Sequence, residues 1–91
     1  MVKGKTASGF EFEINPAKFR DARFLRDYAK MKDDDNMKQL VLMEWLVGAD
    51  TYDELCKHCE NEDGIAPIDT VFAEMNEIIR FVSKASAEAK N

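Results

Sequence analysis

Residues 40–48, Leu-Val-Leu-Met-Glu-Trp-Leu-Val-Gly, constrain this chain more than any other stretch. As a helix the segment is apolar on nearly every side, interrupted only by Glu44, and such a helix is expected to be packed on more than one side. Gly48 is the expected C-terminal stop. Asp50 then stands as a cap for a further helix, with Asp53 well placed in its first turn. Two helices joined so abruptly, with nothing around them that resembles chemistry, point to a small helical packing module that works by binding.

The flanking segments complete a mainly α fold. Residues 1–14 read as a β-hairpin. Phe10, Phe12 and Ile14 alternate with Glu11 and Glu13, and Val2, Gly4 and Thr6 alternate with Lys3 and Lys5. A turn at Ala7-Ser8-Gly9 sets Lys5 opposite Glu11, Lys3 opposite Glu13 and Val2 opposite Ile14, so charges and apolar groups agree on one register. Asn15-Pro16 is a cap followed by a residue favoured at the first helical position, which predicts a helix over 16–31 with Phe19, Phe24, Leu25, Tyr28 and Met31 on its apolar side. Lys32-Asp33-Asp34-Asp35 predicts a solvated break, with Asp35 or Asn36 capping the next helix over 37–47. A third helix over 51–61 carries Tyr52, Leu55, Cys56 and Cys59 on one stripe. Pro67 opens the fourth, over about 67–86, where Ile68, Val71, Phe72, Met75, Ile78, Ile79 and Val82 recur at three-and-four spacing. The expected architecture is an N-terminal β-hairpin followed by a compact four-helix domain, one unit over 1–82, with 83–91 as a frayed or disordered tail. Helix 37–47 is expected to be the most buried, and Leu40, Trp45, Leu55, Phe72 and Ile79 are the expected core positions.

Ninety-one residues, 45% of them apolar, can build one thin core, so association that buries more surface would add stability. The net charge of −5 and pI of about 4.8 argue against a nucleic-acid partner and against attraction to anionic membranes. No apolar signal core opens the sequence, and its longest apolar run is too short to span a bilayer, so a cytoplasmic location is expected.

The candidates for chemistry fall away on inspection. Cys56-Lys57-His58-Cys59 offers half of a zinc site, but two cysteines and one histidine leave the set incomplete, and both cysteines continue an apolar stripe. Two buried, reduced thiols and a surface histidine are expected instead. Neither Asp33–Asp35 nor Asn61-Glu62-Asp63-Gly64 has the ligand spacing of a calcium loop, and Thr70 stands where the closing glutamate would be. The serines lie in a turn and in the tail. No catalytic, cofactor-binding or metal-binding residue is assigned, and no enzymatic activity is expected. Four large side chains are the ones that three helices and a hairpin would leave uncovered: Phe24, Met43, Trp45 and Phe81. They are the candidate partner-binding residues, since aromatic and methionine side chains are favoured at interfaces. Self-association is expected through the open hairpin edge, Phe81 and its neighbours, or both.

The order of features resembles the small tail assembly chaperones of long-tailed, non-contractile bacteriophages. The resemblance lies in Gly9-Phe10-Glu11-Phe12-Glu13-Ile14, a helix, the acidic break at Asp33–Asp35, Leu40-Val41 through Trp45-Leu46-Val47-Gly48, Tyr52 with Leu55, and Glu62-Asp63-Gly64 before a last amphipathic helix. It covers about residues 9 to 82, as a pattern more than a motif. It implies a protein of the bacterial host cytoplasm, absent from the mature virion, that coats and solubilises the tape measure protein and helps recruit major tail protein. It also implies that this chain is the shorter product of a gene read in two lengths by frameshifting. A small acidic regulatory adaptor or anti-repressor-like module is the alternative. A helical DNA-binding domain ranks last, because the third helix sets Asp53, Glu54 and Glu60 against Lys57 alone.

Overall fold

A computed structural model describes residues 1–31 and 36–89, with side chains placed through residue 85. The expected acidic break at 32–35, the alternative cap Asp35, and the last two residues lie outside the described residues. The chain is mainly helical behind an N-terminal two-stranded sheet.

Strands β1 (Val2–Lys5) and β2 (Glu11–Ile14) pair antiparallel in the expected register, Val2 with Ile14, Lys3 with Glu13 and Lys5 with Glu11. Gly9, at φ 98°, takes the left-handed conformation that the turn requires. Phe10, Phe12 and Ile14 are buried, while Lys3 and Glu13 form an exposed pair at 4.0 Å that contributes little.

The helix expected over 16–31 is two segments. A single 3-10 turn, Pro16–Arg20, is capped by the Asn15 side chain, which accepts from the Ala17 amide. The chain then extends at Asp21, whose carboxylate accepts from the amides of Arg23 and Phe24 and starts helix α1, Ala22–Lys30. Asp21 is as good a cap as Asn15, and it wins because a second cap turns α1 so that Phe24 can be buried.

Helix α2 spans Asn36–Val47 and α3 spans Ala49–Cys59. Gly48, at φ 93°, is the whole link between them. The Gly48 amide ends α2 on the Glu44 carbonyl, and the Gly48 carbonyl accepts from the Tyr52 amide. Asp50 lies inside the first turn of α3, where the sequence had suggested the cap; Gly48 holds that place without a side-chain bond. A turn follows in which the Asn61 side chain accepts from the amides of Asp63 and Ile65.

Helix α4, Ile68–Ala89, is the spine of the domain. Its stripe of Val71, Met75, Ile78 and Val82 is buried throughout, closed on one side by the hairpin and on another by α3. One expectation is corrected here. Helix α2 does not stand out as the most buried, because it leaves Met37, Val41 and Trp45 exposed while burying Met43, Leu46 and Val47. The helical conformation of α4 runs on through Ala89. Of the expected core positions, Leu55 is fully buried, and Leu40, Phe72 and Ile79 pack partly buried around the core; Trp45 is a surface residue, 41% exposed.

Candidate functional site

An apolar groove of about 410 Å³ lies between α1, α2 and α4. From α1 come Phe24, Leu25 and Tyr28, and from α2 come Leu42, Met43 and Leu46. Ile79 and Asn76 form the α4 side, Phe19 stands at the 3-10 turn, and Met31 and Gln39 also line it. Among the described residues, none that lines it is charged. The groove exists because α1 is short: its nine residues cross the face of α2 without covering all of it, and Leu25 and Tyr28 remain half exposed or more.

One wall is an aromatic column. The Phe24 ring lies between Tyr28, at 6.0 Å, and Trp45, at 5.9 Å, nearly parallel to both, and Phe19 meets it edge-on at 6.1 Å. Offset stacking of this kind adds to the area term and fixes ring orientation. Stacking on Phe24 restricts the rings of Tyr28, which lines the groove, and of Trp45 beside it, so a ligand that packs on them loses less side-chain freedom. The Lys18 ammonium lies 5.0 Å from the Trp45 ring centroid and donates to the Trp45 carbonyl.

The four candidate partner-binding residues do not share one surface. Phe24 and Met43, expected to be left uncovered, are buried and line the groove from within. Trp45 stacks on Phe24 but is not among the described residues that line the groove. Phe81, 43% exposed, lies elsewhere, with its ring edge-on to Phe12 at 5.4 Å against the hairpin. Leu25, Leu42 and Tyr28 are among the groove residues that sequence reasoning did not single out. Leu25 and Tyr28 were visible as part of an apolar side, but nothing local says that they stay half exposed or more.

A second constellation joins distant parts of the chain. Ser8, at the hairpin turn, donates from its hydroxyl to Glu74 Oε1 at 2.8 Å and lies 2.9 Å from His58 Nε2. The Ala7 amide donates to Glu77. The His58 ring packs at 5.4 Å on Phe10. The single hydroxyl proton goes to the carboxylate, so His58 Nε2 is the donor to Ser8. A nucleophilic triad needs the reverse, with the imidazole accepting the serine proton. The arrangement fastens the turn to α3 and α4. No sequence spacing announces it, because its members are 50 to 70 residues apart.

Burial raises the thiol pKa of both Cys56 and Cys59, and burial likewise raises that of the Tyr52 hydroxyl beside Cys56. Neither thiol is primed for attack, since reactivity follows the thiolate. Among the described residues, no three His, Cys, Asp or Glu side chains are placed to hold a metal ion, and no helix is long and apolar enough to cross a membrane. No family model matches the chain, and neither a curated protein nor a solved structure matches it.

Proposed function

We propose that this protein is a bacteriophage tail assembly chaperone, which holds helical segments of the tape measure protein in its groove and keeps that protein soluble until major tail protein is recruited around it. The observation that carries this reading is the open apolar groove walled by three helices, uncharged among its described residues, with Phe24 and Tyr28 stacked in its wall. Helix-in-groove recognition uses such a surface to take the apolar face of an amphipathic helix. A long tape measure helix presents many such faces, and many weak sites on one partner give retention with stepwise release. The acidic balance of the domain as a whole favours solubility of the coated assembly. The order of features along the sequence supports the same reading.

The test is co-expression with the tape measure protein encoded beside this chain, comparing the wild type with Leu25→Glu and Leu42→Glu. Soluble tape measure protein with the wild type, and aggregates with either variant, is the expected result. Equal solubility with all three would remove the groove from the function.

A further inference from the structure

One wall of the groove is basic in a chain that is acidic as a whole. Residues 16–31 carry Lys18, Arg20, Arg23, Arg26 and Lys30 against Asp21 and Asp27, a net charge of +3 in a chain of net −5, so the remaining residues sum to −8. That basic segment is the 3-10 turn and α1, the wall of the groove. Its two carboxylates are committed: Asp21 caps α1 and lies 3.6 Å from Arg23, and Asp27 meets Arg26 at 3.1 Å. Among the described residues, no ion pair engages Lys18, Arg20 or Lys30. On α4, Arg80 follows the lining residue Ile79 and donates from Nε to the carbonyl of Asn76, another lining residue. It too lacks an ion pair among the described residues.

We infer that the groove selects an amphipathic helix whose apolar stripe is flanked by Asp and Glu. This rests on the groove-docking reading above and specifies the chemistry of the docked segment. The uncharged floor takes the stripe. The flanks of the docked helix then lie over Arg80 on one side and over α1 on the other. An α-helix is ~10 Å across, so the charges on the outer face of α1 act on the occupant within about one Debye length at ~0.1 M salt. By charge alone a second copy of this chain would suit, since its residues outside 16–31 are net acidic; but its α4 stripe is already used in the core, and the apolar side chains that α2 exposes, Met37, Val41 and Trp45, are neighboured by Lys38 as well as Glu44.

The experiment uses the full chain and two designed helical peptides of about five turns, ~18 residues each. They share one leucine stripe, contain no tryptophan, and differ only in carrying Glu or Lys at the flanking positions. Trp45, the single tryptophan of the chain, reports binding by its emission. The Glu peptide is expected to bind roughly tenfold tighter than the Lys peptide at low salt, with the difference shrinking to within about twofold at ~1 M salt, where screening is nearly complete. Lys30→Glu combined with Arg80→Glu is expected to reverse the order, with the circular dichroism spectrum unchanged. Should that pair disturb the fold, Lys30→Gln with Arg80→Gln is expected to abolish the preference. Equal binding, or preference for the Lys peptide, overturns the charge inference and leaves the groove reading standing. Binding of neither peptide overturns both. So does a concentration-dependent dimer that Leu25→Glu converts to monomer, since the groove then belongs to a second copy.

Discussion

The Lys18 ammonium donates to the carbonyl oxygen of Trp45 at 2.9 Å and stands 5.0 Å from the centroid of the indole ring of the same residue. One cation thus closes a carbonyl in the last turn of α2 and lies against the ring beside the groove. Both contacts favour a positive charge, the first through the helix dipole and the second through the ring quadrupole. Lys18→Met keeps most of the side-chain stem and removes both contacts. It is expected to lower stability by about 0.5–1.5 kcal/mol in urea unfolding and to shift Trp45 emission. A variant with wild-type stability and emission would mean that the pair is ornamental.

Leu55, Met75 and Ile78 are fully buried, whereas Leu40 is only partly so and Val41 faces solvent. Truncation to Ala should therefore cost ~2–5 kcal/mol at Leu55 or Ile78, less at Leu40, and no more than about 0.5 kcal/mol at Val41. Thermal melts of the four variants test the ranking. A loss at Val41 equal to that at Leu55 would put the exposed face of α2 in a folded-state contact.

Gly4 is the point where the hairpin meets α4. A Cβ there would lie 2.6 Å from Phe12 Cζ and 2.6 Å from Phe81 Cε1. The Phe12 ring is buried and cannot retreat, so the half-exposed Phe81 must. Gly4→Ala is expected to destabilise by ~1–3 kcal/mol, the usual range for overpacking. Phe81→Ala in the same chain should recover part of that loss, seen as a coupling energy in a double-mutant cycle. Strict additivity would show that the two sites do not touch.

The pH dependence has two sides. Amide hydrogen bonds from Phe24 and then Arg23 hold the Asp21 carboxyl below its ordinary 3.8, so the unfolded chain takes up that proton first. The stability it contributes is present above that value and is lost as pH falls through the lower, folded one. On the alkaline side, burial raises Cys56 and Cys59 above 9.0 and Tyr52 above 10.0, so their contribution is complete below pH 9 and is lost as pH rises past it. Melting temperature should fall at both ends. Asp21→Asn, which still caps α1, should flatten the acid limb, and Cys59→Ala should flatten part of the alkaline one. Unchanged limbs in both variants would show that other groups set the profile.

The local signals carried far into the fold. The hairpin register followed from alternation and charge pairing, Gly48 from its place after an apolar helix, and the α4 stripe from its spacing. What failed was non-local. Nothing in 40–48 says which of its apolar sides the rest of the chain will cover, and Trp45 fell on the uncovered one. Asp21 sits inside a continuous helical pattern, so the break it makes by capping α1 has no separate local signal. The groove is legible only in part, because Leu25 and Tyr28 are open through the short length of α1. The Ser8, His58 and Glu74 cluster had no local signature at all.

The bonds from Ala7 to Glu77 and from Ser8 to Glu74 reach across most of the chain, and the Phe10, Phe12 and Ile14 face of the hairpin shares its core with α4. During translation the hairpin emerges first and α4 last. Synthesis runs at only about 5–20 residues per second, so for some seconds the nascent chain carries three uncovered core side chains and an unpaired strand edge. A two-stranded hairpin does not hold itself together in water. The domain therefore cannot be finished piece by piece on the ribosome: its core closes in one event, when α4 arrives.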